Sequence, residues 1–108
     1  MVNVNDEDVY TATVGSETVI TNKTVNKHFQ FEIDCTNLQT GESIELRLWK
    51  KNASGGVLIV YDLAVVTFPV TDKQGWRFNW EPSRYEYQVT GKQIGGTARN
   101  FNWILYDA

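Results

Sequence analysis

The sequence predicts an all-β domain, an antiparallel two-layer β-sandwich of about seven to eight short strands, with jelly-roll and immunoglobulin-like topologies both open. Apolar and polar residues alternate with period two along most of the chain, and no segment sustains the roughly 3.6-residue period of a helix. Turn-forming residues return roughly every 8–12 positions, the spacing of short strands that fold back on one another. The chain has 108 residues and no low-complexity linker or internal repeat, so residues 1–108 are expected to form a single domain.

Each element has its own signal. The acidic start, residues 1–8, reads as a solvated arm, because Asn3 to Asp8 carries oxygen-bearing side chains without the glycine and distal glutamate of a calcium loop. Val9–Val14 and Glu17–Thr21 read as two short strands around Gly15-Ser16. In His28–Cys35 the residues Phe29, Phe31, Ile33 and Cys35 share one face, with His28, Gln30, Glu32 and Asp34 on the other. Ser43–Lys50 turns Ile44, Leu46 and Leu48 inward and Glu45, Arg47 and Trp49 outward. Gly55-Gly56 closes a hairpin, since glycine accepts positive φ without steric cost.

The strand from Val57 towards Phe68 is apolar on both parities and stops before Pro69. One of its faces belongs to the core, and the other calls for a cover. Trp76, Phe78 and Trp80 alternate with Arg77 and Asn79, Tyr85, Tyr87 and Val89 alternate with polar residues, and Phe101, Trp103 and Leu105 share a face of the last strand. These three rows are expected to be core.

Composition excludes several functions. Hydrophobic residues make up 42% of the chain and charged residues 21%, a balance that argues for a packed core and against disorder. The formal net charge of −3 gives no electrostatic reason to expect nucleic acid or an anionic membrane as partner. One cysteine permits no internal disulfide, and the polar N-terminus lacks the basic and apolar regions of a signal peptide, so synthesis in a cytoplasm is expected.

No catalytic constellation emerges, and a non-enzymatic role without metal or cofactor is expected. His28 and Cys35 are the sole residues of their types and fall on opposite faces of one strand, which leaves Cys35 as a core residue rather than a nucleophile. His28, Glu32 and Asp34 share a face, but neighbouring positions on it lie about 6–7 Å apart, too spread to converge on one ion unaided. No two of the carboxylates are singled out as a glycosidase pair. What stands out instead is apolar surplus. Trp49, Leu58, Val60, Ile104 and Tyr106 occupy positions where a lone sandwich would place polar residues, and they are the candidate contacts with a partner.

The stretch Tyr85–Asp107 resembles the C-terminal signature of small β-sandwich virion structural proteins of tailed bacteriophages, a pattern of the form V-T-L-x-Q-x-x-G-T-x-R-x-F-x-W. The matching residues are Val89, Thr90, Gln93, Gly96, Thr97, Arg99, Phe101 and Trp103; Gly91 departs from it where an apolar residue is usual, as does the Trp-rich segment Trp76–Trp80. Upstream, Thr13–Thr18, the Gly41-Glu42 turn and Gly55-Gly56 follow the same layout. The resemblance implies a capsid decoration or head-associated protein, made in the host cytoplasm and carried in the virion. Its partners would be other capsid or head–tail subunits, with homo-oligomers expected. Two alternatives remain from the residues alone: a carbohydrate-binding module using Trp49 or the Trp76/Trp80 pair, and a small hydrolase.

Overall fold

Most strands form where alternation predicts them, but the first, expected over Val9–Val14, begins at Asn3 and ends at Thr11, and the order in which the strands pair settles the topology. A computed structural model describes residues 2–69 and 75–108, so Met1 of the expected N-terminal arm lies outside the described residues. The strands are β1 (Asn3–Thr11), β2 (Thr18–Lys23), β3 (Lys27–Asp34), β4 (Ser43–Lys50), β5 (Ile59–Thr67), β6 (Gly75–Ser83), β7 (Tyr87–Ile94) and β8 (Asn100–Asp107). They make two four-stranded antiparallel sheets, ordered β1-β8-β3-β6 and β2-β7-β4-β5. Only β4 and β5 are joined as a hairpin within one sheet, while every other described connection crosses from one sheet to the other. That is the jelly-roll order of an eight-stranded sandwich, and the immunoglobulin-like option falls away.

The core lies between the sheets and divides by residue type. The first sheet contributes Phe29, Phe31, Phe78, Phe101 and Trp103, and the second answers with Ile44, Leu46, Leu48, Ala64 and Val89. Large rings on one layer thus meet smaller aliphatic side chains on the other, which fills space without forcing rotamers. Phe31 is the hub. Its ring lies 6.0 Å from Trp103 and 6.3 Å from Phe78, and Phe29 meets Tyr87 of the opposite sheet at 4.9 Å. A second tie between the layers is polar: the Tyr10 hydroxyl donates to the Gly91 carbonyl (2.9 Å) and lies 2.6 Å from Thr18 Oγ1. A Cβ on Gly91 would come within 3.0 Å of that hydroxyl, so the close approach of Tyr10 favours glycine there.

The four interior strands keep unbroken register with one another, and each of the four edge strands carries an irregularity. Register shifts fall between Val4 and Asp6 in β1, between Val19 and Thr21 in β2, between Phe78 and Glu81 in β6, and between Val60 and Asp62 in β5. An extra residue reverses which face the following side chains take. This corrects the expected core row in β6. Phe78 is buried, but past the irregularity Ser83 turns inward and Trp80 is left 37% exposed, while Trp76 sits 39% exposed at the end of the strand. Tyr85 precedes β7 and is half-buried.

The acidic N-terminal segment is also corrected. Residues 3–8 are not a free arm but pair with β8 from Asn3–Asp107 to Asp8–Trp103. The ladder with β8 pairs one side of their backbone, the Asn5 amide donates to Asp107 Oδ2 (2.7 Å), and Lys23 reaches Asp6 at 3.0 Å.

Replacing Phe31 by Ala is expected to lower unfolding free energy by about 3–5 kcal/mol, because it empties the junction of three rings. Trp80→Ala, despite removing a larger side chain, is expected to cost less than about 1 kcal/mol. Urea denaturation of the two variants measures the contrast.

Candidate functional site and interaction surfaces

The residues of the C-terminal signature converge on one buried carboxylate. Glu42 sits in the turn before β4 with its side chain only 3% exposed. The Arg99 guanidinium grips it in two places, Nε to Oε1 at 3.0 Å and Nη2 to Oε2 at 2.9 Å. The backbone N–H groups of Gln39 (2.9 Å) and Thr97 (3.2 Å) donate to the same carboxylate. These donors, led by Arg99, hold the Glu42 carboxyl at about 2, well below the ordinary value.

Gln93, fully buried, organises the loop from the other side. Its amide donates to the carbonyls of Gly95 (3.1 Å) and Thr97 (2.6 Å), and its oxygen accepts from the Arg99 N–H (2.9 Å). Gly96 has φ of +69°, and a Cβ there would lie 2.0 Å from Glu42 Oε2. Gln93, Gly96, Thr97 and Arg99 thus form a lock that fixes the β7–β8 loop onto the β3–β4 turn. Most of its hydrogen bonds are made within the group, so these residues of the motif serve the fold.

Cys35 and His28 end up as the alternation predicts. Cys35 is fully buried, with burial pushing its thiol up to about 12, while His28 is exposed on the outer face of the first sheet. The pair therefore supplies no thiolate nucleophile near neutral pH. Asp34 accepts from the N–H and hydroxyl of Thr36, closing the turn after β3. Among the described residues, no three His, Cys, Asp or Glu side chains are grouped to hold a metal ion.

The five candidate contact residues are not brought together. Trp49 and Val60 are register partners on the outer face of the second sheet, and Leu58 lies half-buried just before β5. Ile104 and Tyr106 are half-buried on the outer face of the first sheet, at the opposite side of the molecule. Trp49 is anchored within its own sheet: its indole N–H donates to Thr90 Oγ1 (2.9 Å), the Thr90 hydroxyl donates to Glu17, and Arg47 reaches Glu17 at 2.9 Å. Its half-burial needs no partner.

The surface apolar residues missed by that set lie further along β5. Leu63 and Val65 are 53% and 54% exposed, flanked by Val60 at 45% and Ile59 at 42%. On β5 the inward positions Ala64 and Val66 meet the core, and the outward Leu63 and Val65 are exposed among the described residues. The signal in the sequence was the absence of alternation from Val57 to Val66. It marked the strand but not which parity faces outward.

A shallow groove of about 780 Å³ lies on the first sheet. Glu7, Ile104, Glu32 and Arg77 follow one another across its four strands, with Asp34, Asn79 and Asn102 around them. Arg77 and Glu32 are 3.8 Å apart. The groove combines a small apolar floor with carboxylate, amide and guanidinium groups, the mixture that recognises a polar, hydroxyl-rich ligand.

No family model, curated protein or solved structure matches this chain. Among the described residues no helix is long and apolar enough to cross a membrane.

Two predictions follow from the lock. Stability contributed by Glu42 is complete above its ordinary value of 4.5 and is lost as pH falls towards about 2, because the unfolded carboxyl binds its proton first. Asp107, held low by Asn5 and Lys27, adds in the same direction. Thermal melts from pH 7 to pH 2 (roughly the span over which carboxylates titrate) should show a steep fall that is shallower in Glu42→Gln. Gly96→Ala should destabilise by more than about 2 kcal/mol, whereas Gly15→Ala, with positive φ but open space around it, should cost about 1 kcal/mol. Chemical denaturation compares them.

Proposed function

We propose that this protein is a non-enzymatic virion structural protein of a tailed phage, a capsid decoration or accessory subunit that binds other capsid or head–tail proteins. The observation that carries the reading is β5, an edge strand with Leu63 and Val65 more than half exposed on a face that a lone domain leaves wet. The C-terminal residue pattern from Val89 to Trp103 supports the phage setting, and its buried lock suits a rigid part presented to other subunits. The jelly roll is shared by viral capsid and lectin domains, an analogy of fold that by itself assigns neither role. In this reading the protein is made in the host cytoplasm and resides in the virion.

Mass spectrometry and cryo-electron microscopy of purified particles test the proposal. Stoichiometric presence at a capsid or head–tail position is expected, and absence from the particles removes the reading.

A second reading, a carbohydrate-binding module, is favoured by one observation: the mixed polar groove across Glu7, Ile104, Glu32 and Arg77. The half-exposed Trp76 is near its rim and Trp80 lies beyond it on the same strand. A glycan array with the parent protein and Glu32→Gln decides it. Binding lost at least tenfold in the variant, about 1.4 kcal/mol, supports the glycan role; no binding by the parent ends it.

A further inference from the structure

Among the described residues, two buried side-chain hydroxyls have no hydrogen-bond partner in the chain, Ser83 Oγ and Tyr87 Oη. Tyr87 is fully buried and Ser83 is 2% exposed. A buried hydroxyl left without a bond costs more than one made bond returns. Protein interiors therefore satisfy nearly all such groups, either from the chain or from an internal water.

The two hydroxyls lie at the same end of the core and belong to different sheets. Ser83 is the last residue of β6 and Tyr87 the first of β7, with residues 84–86 crossing between the layers. The Tyr87 ring packs on Phe29 at 4.9 Å, and Phe29 is paired with Glu81 of β6, two residues before Ser83. Lys50, the register partner of Tyr87 in β4, reaches across the same gap. Its ammonium donates to the Pro82 carbonyl (2.7 Å) and lies 3.5 Å from Glu81. One lysine side chain thus spans from the neighbour of Tyr87 to the neighbour of Ser83. Burial, reinforced by the Glu81 carboxylate, pushes the Tyr87 hydroxyl up from its ordinary value, so it keeps its proton and stays a donor.

We infer that this end of the sandwich is an internal water site, an ordered water being bound between the hydroxyls of Tyr87 and Ser83. Water suits the pair because each hydroxyl can both donate and accept, and neither bears a charge. The nearby ammonium is already met by the Pro82 carbonyl and Glu81, which leaves no call for an anion. Glu42, just before β4, ties the layers together at the start of that strand; Lys50 and the bound water tie them at its end. The site is independent of either functional reading.

Tyr87→Phe and Ser83→Ala, each followed by urea denaturation, read the site through the sign of the change. A hydroxyl bonded to water loses that bond when it is removed, so each variant should lower the folding equilibrium constant by about threefold or more. A hydroxyl left dry is a penalty in the parent, and removing it would leave stability equal or raise it. Because one water serves both groups, the double variant should lose less than the product of the two single losses. A high-resolution crystal structure of the parent should show a water within hydrogen-bond distance of both oxygens. Single variants as stable as the parent, fully multiplicative losses, or a crystal structure with no water between the two oxygens would each overturn the inference.

Discussion

The carboxylate of Glu42 is the group on which the arrangement of this sandwich most depends. A buried negative charge is tolerable only when its oxygens are fully supplied with donors, and here those come from the Arg99 guanidinium and the N–H groups of Gln39 and Thr97. Gln39 precedes β4, while Thr97 and Arg99 lie between β7 and β8, so one side chain ties together segments that cross between the two sheets. Gly96 is required because the carboxylate occupies the space its side chain would take. Gln93 completes the arrangement by shaping the loop that delivers Arg99.

That arrangement changes what the C-terminal pattern means. Read as residues in a row, Gln, Gly-Thr and Arg could equally form a ligand site or a turn. In the fold they point at Glu42 and at one another. In this chain the pattern serves first of all to close the jelly roll. Recognition by this protein is accordingly sought on β5 and on the groove of the first sheet.

Irregularities confined to the four edge strands give the molecule its second organising rule. Interior strands must satisfy ladders on both sides, which leaves no room for an unpaired residue, whereas an edge strand can accommodate one. In β6 the extra residue sends Trp80 outward, and in β5 it separates Val60 from the regular run that carries Leu63 and Val65.

The sequence by itself determined the sandwich, most of the strands, and the inward faces of β3, β4, β7 and β8, because period-two alternation is enforced wherever a strand is paired on both sides. It also placed Cys35 in the core and away from His28. Only the tertiary structure decided the jelly-roll order, since crossings between sheets leave no local trace, and only it showed residues 3–8 as a strand, since their pairing depends on β8 about a hundred positions away. It likewise decided which apolar residues are surplus. Trp49, Leu58, Val60, Ile104 and Tyr106 were chosen by parity, yet they divide between two opposite faces, and the exposed Leu63 and Val65 follow an irregularity that alternation cannot reveal. An all-β sandwich was legible from the chain; where its exposed apolar residues lie depended on pairing across distance.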